Sequence, residues 1–84
     1  MNTKNKKWER MRRLVEVIGK EAVSRKELME MLELGQESRR IFYYNYAHPA
    51  IEEGLVVMFI PSTPSSPEQA YKLSKRGLEY FESL

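Results

Sequence analysis

Two adjacent arginines and an asparagine shortly after them are the residues of this sequence best suited to recognise a polyanion. Arg39 and Arg40 follow Ser38, a favoured helix N-cap, and Asn45 lies further along the same segment. A guanidinium can donate two parallel hydrogen bonds to a guanine edge or a phosphate, and an asparagine amide can pair with adenine. Cations at a helix start are unfavourable without an anionic partner, which favours an anion bound by these arginines. The alternative is that both arginines are simply solvated. The pattern predicts a nucleic-acid contact at this helix start.

Further cations and one tyrosine extend this candidate interface. Tyr44 can hold a phosphate through its hydroxyl or be partly buried, and Arg25 can reach the backbone from the preceding helix. Lys6 and Lys7 belong to residues 1–13, which carry six basic and one acidic side chain, a net charge of +5; the rest of the chain carries eight basic and eleven acidic ones. This basic segment can contact phosphates or be an ordinary solvated surface. The predicted DNA-binding residues are Ser38, Arg39, Arg40, Tyr44, Asn45, Lys6, Lys7 and Arg25.

The other reactive side chains do not assemble a catalytic or metal site. His48 is the single histidine, Glu52 lies one turn further on, and the chain has neither cysteine nor aspartate. One histidine with one carboxylate cannot form a triad or fill a metal's coordination sphere. We therefore predict no enzymatic activity, no metal, no cofactor and no small-molecule substrate. The longest apolar run, residues 55–60, is far too short to cross a bilayer, so no membrane partner and a cytoplasmic location are expected.

A helix-turn-helix positions the candidate residues. Ser24 and Glu27 form a capping-box pattern that predicts the start of a helix over residues 25–34, closed by Gly35 in the left-handed conformation. Ser38 then caps a longer helix over residues 38–53, where Gly54 ends it. A short helix, a tight turn and a longer helix are typical of this motif.

A strand directly after the motif turns it into a winged helix-turn-helix. Residues 61–69 contain three prolines and no cation, so they are predicted to form the wing between two strands. The predicted fold is one α+β domain over residues 1–84, with a three-helix core, a two-stranded β-hairpin wing and a C-terminal helix. Its helices are expected near residues 4–18, 25–34, 38–53 and 75–83, and its hairpin pairs residues 55–60 with residues 70–73.

Apolar spacing predicts one shared core and a distortion in the third helix. Phe42, Tyr43 and Tyr46 are interpreted as packing against the first two helices, since aromatic residues at helical spacing are usually buried. Pro49 removes one helical hydrogen bond, so a kink or a break is expected there. The predicted core residues are Trp8, Leu14, Val15, Leu28, Leu32, Ala50, Ile51 and Phe81.

Three short patterns carry a resemblance to a known family. They are Ser38-Arg39-Arg40-x-Phe42-x-x-x-Tyr46-x-x-Pro49-Ala50-Ile51-Glu52-x-Gly54-Leu55-Val56, then Met58-x-Ile60-Pro61, and Tyr71-x-Leu73-Ser74-x-x-Gly77. Over residues 24–78 the chain resembles the winged helix at the C-terminus of many bacterial Fic-like proteins and RecG-helicase-related transcriptional regulators. The resemblance implies DNA binding but no Fic or helicase chemistry. Relatives carry a cation in the wing, whereas this wing has none.

The sequence thus predicts a winged-helix DNA-binding domain of a bacterial transcriptional regulator, with duplex DNA as its partner. Five or six phosphate contacts are available at best, which suits weak binding by a monomer, so a homodimer or a larger protein partner would supply the rest. The alternative is a winged helix used for protein–protein interaction or dimerisation without direct DNA binding. The acid excess after residue 13, the wing without a cation and the aromatic-rich third helix favour that alternative.

Overall fold

A computed structural model describes residues 3–59 and 69–84, with side chains from residue 6 onward. The described residues form a small α+β domain with four helices and a three-stranded antiparallel sheet. The helical segments from Arg39 to Glu52 follow one another without a gap, and we call them together the third helix. The elements are α1 (Thr3–Ile18), β1 (Val23–Ser24), α2 (Arg25–Met31), a 3-10 turn (Gln36–Ser38), α3 (Arg39–Phe42), a π-helical segment (Tyr43–Ala47), α4 (His48–Glu52), β2 (Val56–Met58), β3 (Ala70–Leu73) and α5 (Lys75–Ser83).

The sheet contains one strand more than the predicted hairpin. β3 lies in the centre, with β2 on one side and the two-residue β1 on the other. Val56 pairs with Leu73, and Val23 pairs with Tyr71. The predicted pairing of residues 55–60 with residues 70–73 is confirmed for its described part. The predicted wing, residues 61–69, lies outside the described residues except for its last position.

The helix α2 ends earlier than predicted and by a different residue. Glu33, and not Gly35, adopts the left-handed conformation, with φ of 60°, while Gly35 is extended with φ of −65°. Leu34 donates its N–H to the carbonyl of Met29 at 2.8 Å, and Glu33 donates to Glu30 at 3.0 Å. These two bonds satisfy carbonyls at the helix end in the manner of a Schellman motif. The prediction that Gly35 closes the helix is therefore wrong, because the turn is made two residues earlier.

The third helix passes through Pro49 without ending. The π-helical segment comes directly before it, and the N–H of His48 bonds to the carbonyl of Tyr43, five residues back. Proline has no N–H to donate, and its ring clashes with the carbonyl four residues earlier in a regular helix. A widened turn relieves that clash, as π segments inside α-helices do. The expected break is therefore replaced by a local change of helical register, and the helix ends as predicted at Gly54, with φ of 76°.

The core lies between α1, α2, the third helix and the sheet. Leu14, Val15, Leu28, Leu32 and Ala50 are buried as predicted, whereas Ile51 and Phe81 are partly buried and pack against the core. Trp8 is 45% exposed, so its assignment to the core is wrong. The buried apolar residues are Met11, Leu14, Val15, Ile18, Leu28, Met29, Leu32, Phe42, Ala47, Ala50, Leu55, Val56, Tyr71 and Leu73.

The base of the β2–β3 hairpin is joined closely to α5. The side chain of Ser74 accepts a hydrogen bond from the N–H of Gly77 at 3.0 Å and so caps the helix, as predicted. A Cβ atom on Gly77 would lie 1.9 Å from the carbonyl oxygen of Leu55, so only glycine fits at this contact. None of the helices in the described part of the chain is long and apolar enough to span a membrane.

Candidate nucleic-acid interface

A groove of about 390 Å³ opens beside the start of the third helix. We call it the arginine groove, because three of its seven lining residues are arginines and none is acidic. The structure thus places four predicted site residues, Arg25, Arg39, Arg40 and Tyr44, at one groove. The lining residues are Arg25, Arg39, Arg40, Phe42, Tyr43, Tyr44 and Tyr71.

The 3-10 turn before α3 presents Arg39 and Arg40. Ser38 belongs to this turn, donates its N–H to the carbonyl of Gly35 at 2.8 Å and makes no side-chain cap, so the predicted capping role is wrong. Its backbone, with φ of −91° and ψ of 32°, lies away from the extended conformation of an N-cap. Both arginines are exposed, and neither takes part in any of the ion pairs formed among the described residues. Their charges are therefore free to meet an anion.

Arg25 is the buried member of the groove, with 7% of its surface exposed. As the first residue of α2, it donates its backbone N–H to the carbonyl of Gln69 at 2.8 Å. Its Nη1 donates weakly to Sδ of Met29 at 3.5 Å, and its buried Nε has no hydrogen-bond partner in the described structure. A buried charge is normally paired, because removing it from water is costly. Among the described residues, the guanidinium has no carboxylate partner.

Tyr71 brings a second unpartnered polar atom to the groove from the centre of β3. Its side chain is fully buried, and its ring meets the Phe42 ring edge to face at 5.5 Å. Its hydroxyl has no hydrogen-bond partner in the described part of the chain. Burial raises the pKa of Tyr71 to about 12; Tyr43 adds to this rise and Arg25 opposes it. The phenol therefore stays neutral at physiological pH and keeps a proton to donate.

The remaining aromatic side chains differ in exposure along the third helix. Tyr44 is 60% exposed, which selects the open alternative of the two predicted for it. Its ring meets the ring of Tyr43 edge to face at 5.2 Å. Asn45 is half-buried in the π-helical segment and does not line the groove. The interpretation of Phe42, Tyr43 and Tyr46 as packing residues is confirmed, since Phe42 is buried and the other two pack against the core.

The predicted cations of α1 lie outside the groove. Lys6 and Lys7 are exposed, and Lys7 lies 3.9 Å from a carboxylate oxygen of Glu53. Arg13 lies 3.7 Å from a carboxylate oxygen of Glu33, just after α2. Part of the basic face is thus matched by carboxylates from the rest of the domain. These exposed pairs are weak and are screened by salt.

Sequence reasoning missed Tyr71, and it predicted Arg25 as a phosphate contact without predicting its burial. Tyr71 lies far from Arg39 in the chain. One signal was present: Tyr71 and Leu73 alternate on the inward face of a predicted strand, and a buried phenol usually needs a hydrogen-bond partner. Nothing in the spacing alone brings that phenol to Arg25.

The exposed pair of His48 and Glu52 lies on the outer surface of the third helix. Nδ1 of His48 is 3.5 Å from the Glu52 carboxylate, one turn away. Among the described residues, no group of three or more histidine, cysteine or acidic side chains could hold a metal ion. The two side chains therefore only contact each other across one turn of a solvated helix face.

Comparison with known proteins places this arrangement in a wider group. The C-terminal domain of Filamentation induced by cAMP protein Fic-like matches residues 9–74. A Fic family protein from Desulfovibrio desulfuricans G20, known from a crystal structure, superposes with a TM-score of 0.68 at 33% sequence identity. The match covers 80% of this chain but only 20% of that one. A comparison with curated protein sequences found no match.

Proposed function

Because the chain belongs to the family of Fic-like C-terminal domains, we propose that it is a winged-helix domain that binds duplex DNA and serves a bacterial transcriptional regulator. The order of its elements supports this: α2, a turn and the third helix precede a β-hairpin. The observation that carries the proposal is the exposed pair Arg39 and Arg40, which lies at the start of the third helix in a groove with no acidic side chain among its described lining residues. The proposal assigns no reaction to the chain.

The start of the third helix is the element that enters the major groove in this proposal. In a helix-turn-helix, the N-terminal residues of the second helix contact base edges. Arg39, Arg40 and Tyr44 are exposed there, and they offer guanidinium donors and one phenol. Asn45 is half-buried, so its reading of a base requires a close approach of the duplex. Ser38 supplies a hydroxyl beside the arginines for a phosphate oxygen.

The other predicted cations contribute from a distance. Lys6 and Lys7 add phosphate contacts from α1, although Lys7 already lies near Glu53. Arg25 strengthens the positive potential of the groove from beneath. With so few contacts, a single chain binds weakly, and a homodimer or a larger protein partner adds the rest of the affinity. Each neutralised phosphate contributes about 0.9 to the slope of log affinity against log salt.

Fluorescence anisotropy with a random-sequence duplex at about 50 mM salt tests the proposal, since low salt strengthens phosphate contacts. Arg39→Ala combined with Arg40→Ala should lower affinity strongly and reduce the salt slope by up to about 2. The matched control is Lys75→Ala with Arg76→Ala, which removes two adjacent exposed cations at the start of α5. Absence of duplex binding by the unmodified chain, or equal losses in both double variants, would contradict the proposal.

A second candidate function is protein–protein contact through the edge of the sheet. β2 is an edge strand, and Val57 and the adjacent Phe59 expose 43% and 62% of their surfaces. Edge strands with exposed apolar side chains are templates for pairing with another chain. Light scattering over a range of concentrations tests it: Val57→Thr with Phe59→Thr should abolish any self-association of the chain. Association that persists in this variant excludes β2 as the contact.

A further inference from the structure

We propose that the arginine groove binds a nucleoside monophosphate group, with its phosphate held by arginines and its base against the aromatic side chains. This goes beyond duplex binding, because the ligand is a single nucleotide seated in a groove. The two proposals share Arg25, Arg39, Arg40 and Tyr44, and only the nucleotide proposal uses Tyr71. The sequence predicts no small-molecule substrate, and none is implied here, since the ligand is bound without being changed.

The arginine groove carries a surplus of positive charge. Arg25, Arg39 and Arg40 line the groove, and none of the described residues that line it is acidic. Arg25 is almost fully buried, and among the described residues no carboxylate lies within ion-pair distance of it. A buried guanidinium without a counter-charge is unfavourable, and a bound oxyanion would supply that charge. Arginines are suited to phosphate because their planar donors match its oxygens in pairs.

The groove also contains buried hydrogen-bond donors that have no acceptor among the described residues. Nε of Arg25 and the hydroxyl of Tyr71 are both buried, and neither has a hydrogen-bond partner in the described structure. Buried polar groups are nearly always satisfied, so two orphans on one groove call for an acceptor. The high pKa of Tyr71, about 12, keeps its phenol protonated. A phosphate oxygen would accept from this hydroxyl as well as from the guanidinium.

The size and the aromatic lining of the groove also suit a nucleotide. A volume of about 390 Å³ exceeds what a bare phosphate needs and falls in the range of small-molecule sites. Phe42, Tyr43 and Tyr44 form the aromatic part of its lining, and the exposed ring of Tyr44 is free to stack on a planar base. A phosphate joined to a flat, partly apolar ring system satisfies both the cationic and the aromatic parts.

This chemistry has two sources, which the experiment separates. A free nucleotide and the 5′-terminal nucleotide of a DNA strand both carry a phosphate next to a base. Isothermal titration calorimetry should compare thymidine 5′-monophosphate, thymidine, inorganic phosphate and a 5′-phosphorylated single-stranded oligonucleotide of thymidines. We expect the monophosphate to bind with a Kd below about 1 mM and at least tenfold more tightly than thymidine or phosphate. Tighter binding of the oligonucleotide assigns the site to a strand end, and equal binding assigns it to the free nucleotide.

Two groove variants and one control test the assigned residues. Arg25→Met keeps the length of the side chain, removes its charge and should weaken monophosphate binding by tenfold or more. Tyr71→Phe removes one hydroxyl and should weaken it about threefold to tenfold. Arg76→Met on α5 removes an exposed charge outside the groove and should leave it unchanged. Circular dichroism checks that each variant folds, and Tyr71→Phe keeps the test valid if Arg25→Met does not.

Several outcomes would overturn the inference. It fails if the monophosphate does not bind at millimolar concentration, if phosphate alone binds equally well, or if the folded groove variants bind like the unmodified chain. Failure of duplex binding is a separate result, because Tyr71 is fully buried and has no part in the duplex proposal. Tyr71→Phe should leave duplex affinity within about twofold, whereas Arg25→Met removes a charge that both proposals use. A loss of duplex affinity in Tyr71→Phe equal to its loss of monophosphate affinity would show that no separate nucleotide site exists.

Discussion

The cations of α1 and those of the arginine groove differ in what surrounds them. On α1, Lys7 and Arg13 lie within 4 Å of carboxylates from other parts of the domain, at 3.9 and 3.7 Å. In the groove, Arg25, Arg39 and Arg40 have no such partners among the described residues. Arg25 is buried as well. The richest run of positive charge in the sequence is therefore the more neutralised one. A binding surface is marked by uncompensated charge more than by the number of charges.

The largest effect on stability should come from the buried arginine. Arg25→Met removes an unpaired buried charge and keeps an apolar stem of similar length, so the free energy of unfolding should rise by about 1–4 kcal/mol. Urea unfolding at neutral pH measures it. A destabilised variant would show that the guanidinium gains more from Sδ of Met29 than it loses by burial, and the contrast with α1 would then fail.

Tyr71→Phe tests the second orphaned group of the groove. At neutral pH the variant should be about 1 kcal/mol more stable, because an unsatisfied buried hydroxyl is removed. The pKa of Tyr71 rises on folding from 10 to about 12. Below pH 10 this shift does not lower the free energy of unfolding of the unmodified chain. As the pH approaches 12 that free energy falls, because the unfolded chain loses the phenol proton first. The variant should therefore gain up to about 3 kcal/mol over the unmodified chain across that interval. If the free energy of unfolding depends on pH in the same way in both chains, the raised pKa of Tyr71 does not affect stability.

Glu33→Gly examines one of the ion pairs of α1. The substitution removes the carboxylate near Arg13, but it also relieves a non-glycine residue with φ of 60°. Left-handed conformation costs such a residue about 1–2 kcal/mol, whereas an exposed ion pair contributes at most about 1 kcal/mol. Thermal unfolding should show a net stabilisation of about 1 kcal/mol. A lower melting temperature would show that the Arg13 pair is stronger than its exposure suggests.

The smallest effect is expected at Lys7. Lys7→Gln breaks the pair with Glu53, which is long at 3.9 Å and half exposed at the lysine. The free energy of unfolding should change by less than about 0.5 kcal/mol, and by less still at high salt. Urea unfolding at two salt concentrations measures this. A change above about 1 kcal/mol would show that this exposed pair of α1 affects stability as much as the buried charge of the groove does.

Much of the fold could be predicted because its signals are local. Gly19 and Gly54 end helices in the left-handed conformation, and Ser24 caps α2 through the N–H of Glu27 at 3.2 Å. The Glu27 carboxylate bonds to the Ser24 hydroxyl at 3.2 Å, whereas the capping-box pattern predicts a bond to its backbone N–H. Such interactions involve residues three or four positions apart, which the sequence displays directly.

What could not be predicted depends on residues distant in the chain. Trp8 fits the apolar stripe of α1, but the stripe runs past the end of the core, and 45% of the surface of this residue stays exposed. The joining of Arg25 and Tyr71 to Arg39 depends on how β3 lies against α2 and the third helix. No periodicity encodes that contact, so the candidate site was only half foreseen.

The π-helical segment ties the direction of Arg39 and Arg40 to the packing of the core. A π turn accommodates one residue beyond the α-helical repeat, so the face carrying Arg39 and Arg40 is rotated relative to the face carrying Ala50. Deleting one residue between Tyr43 and Ala47 would restore the ordinary phase and turn the first half of the helix by roughly 100° about the axis. The same rotation would take the buried Phe42 out of the core, and the regular turn would bring back the clash at Pro49. The arginines therefore cannot be re-aimed by an insertion or a deletion in this segment without repacking the core.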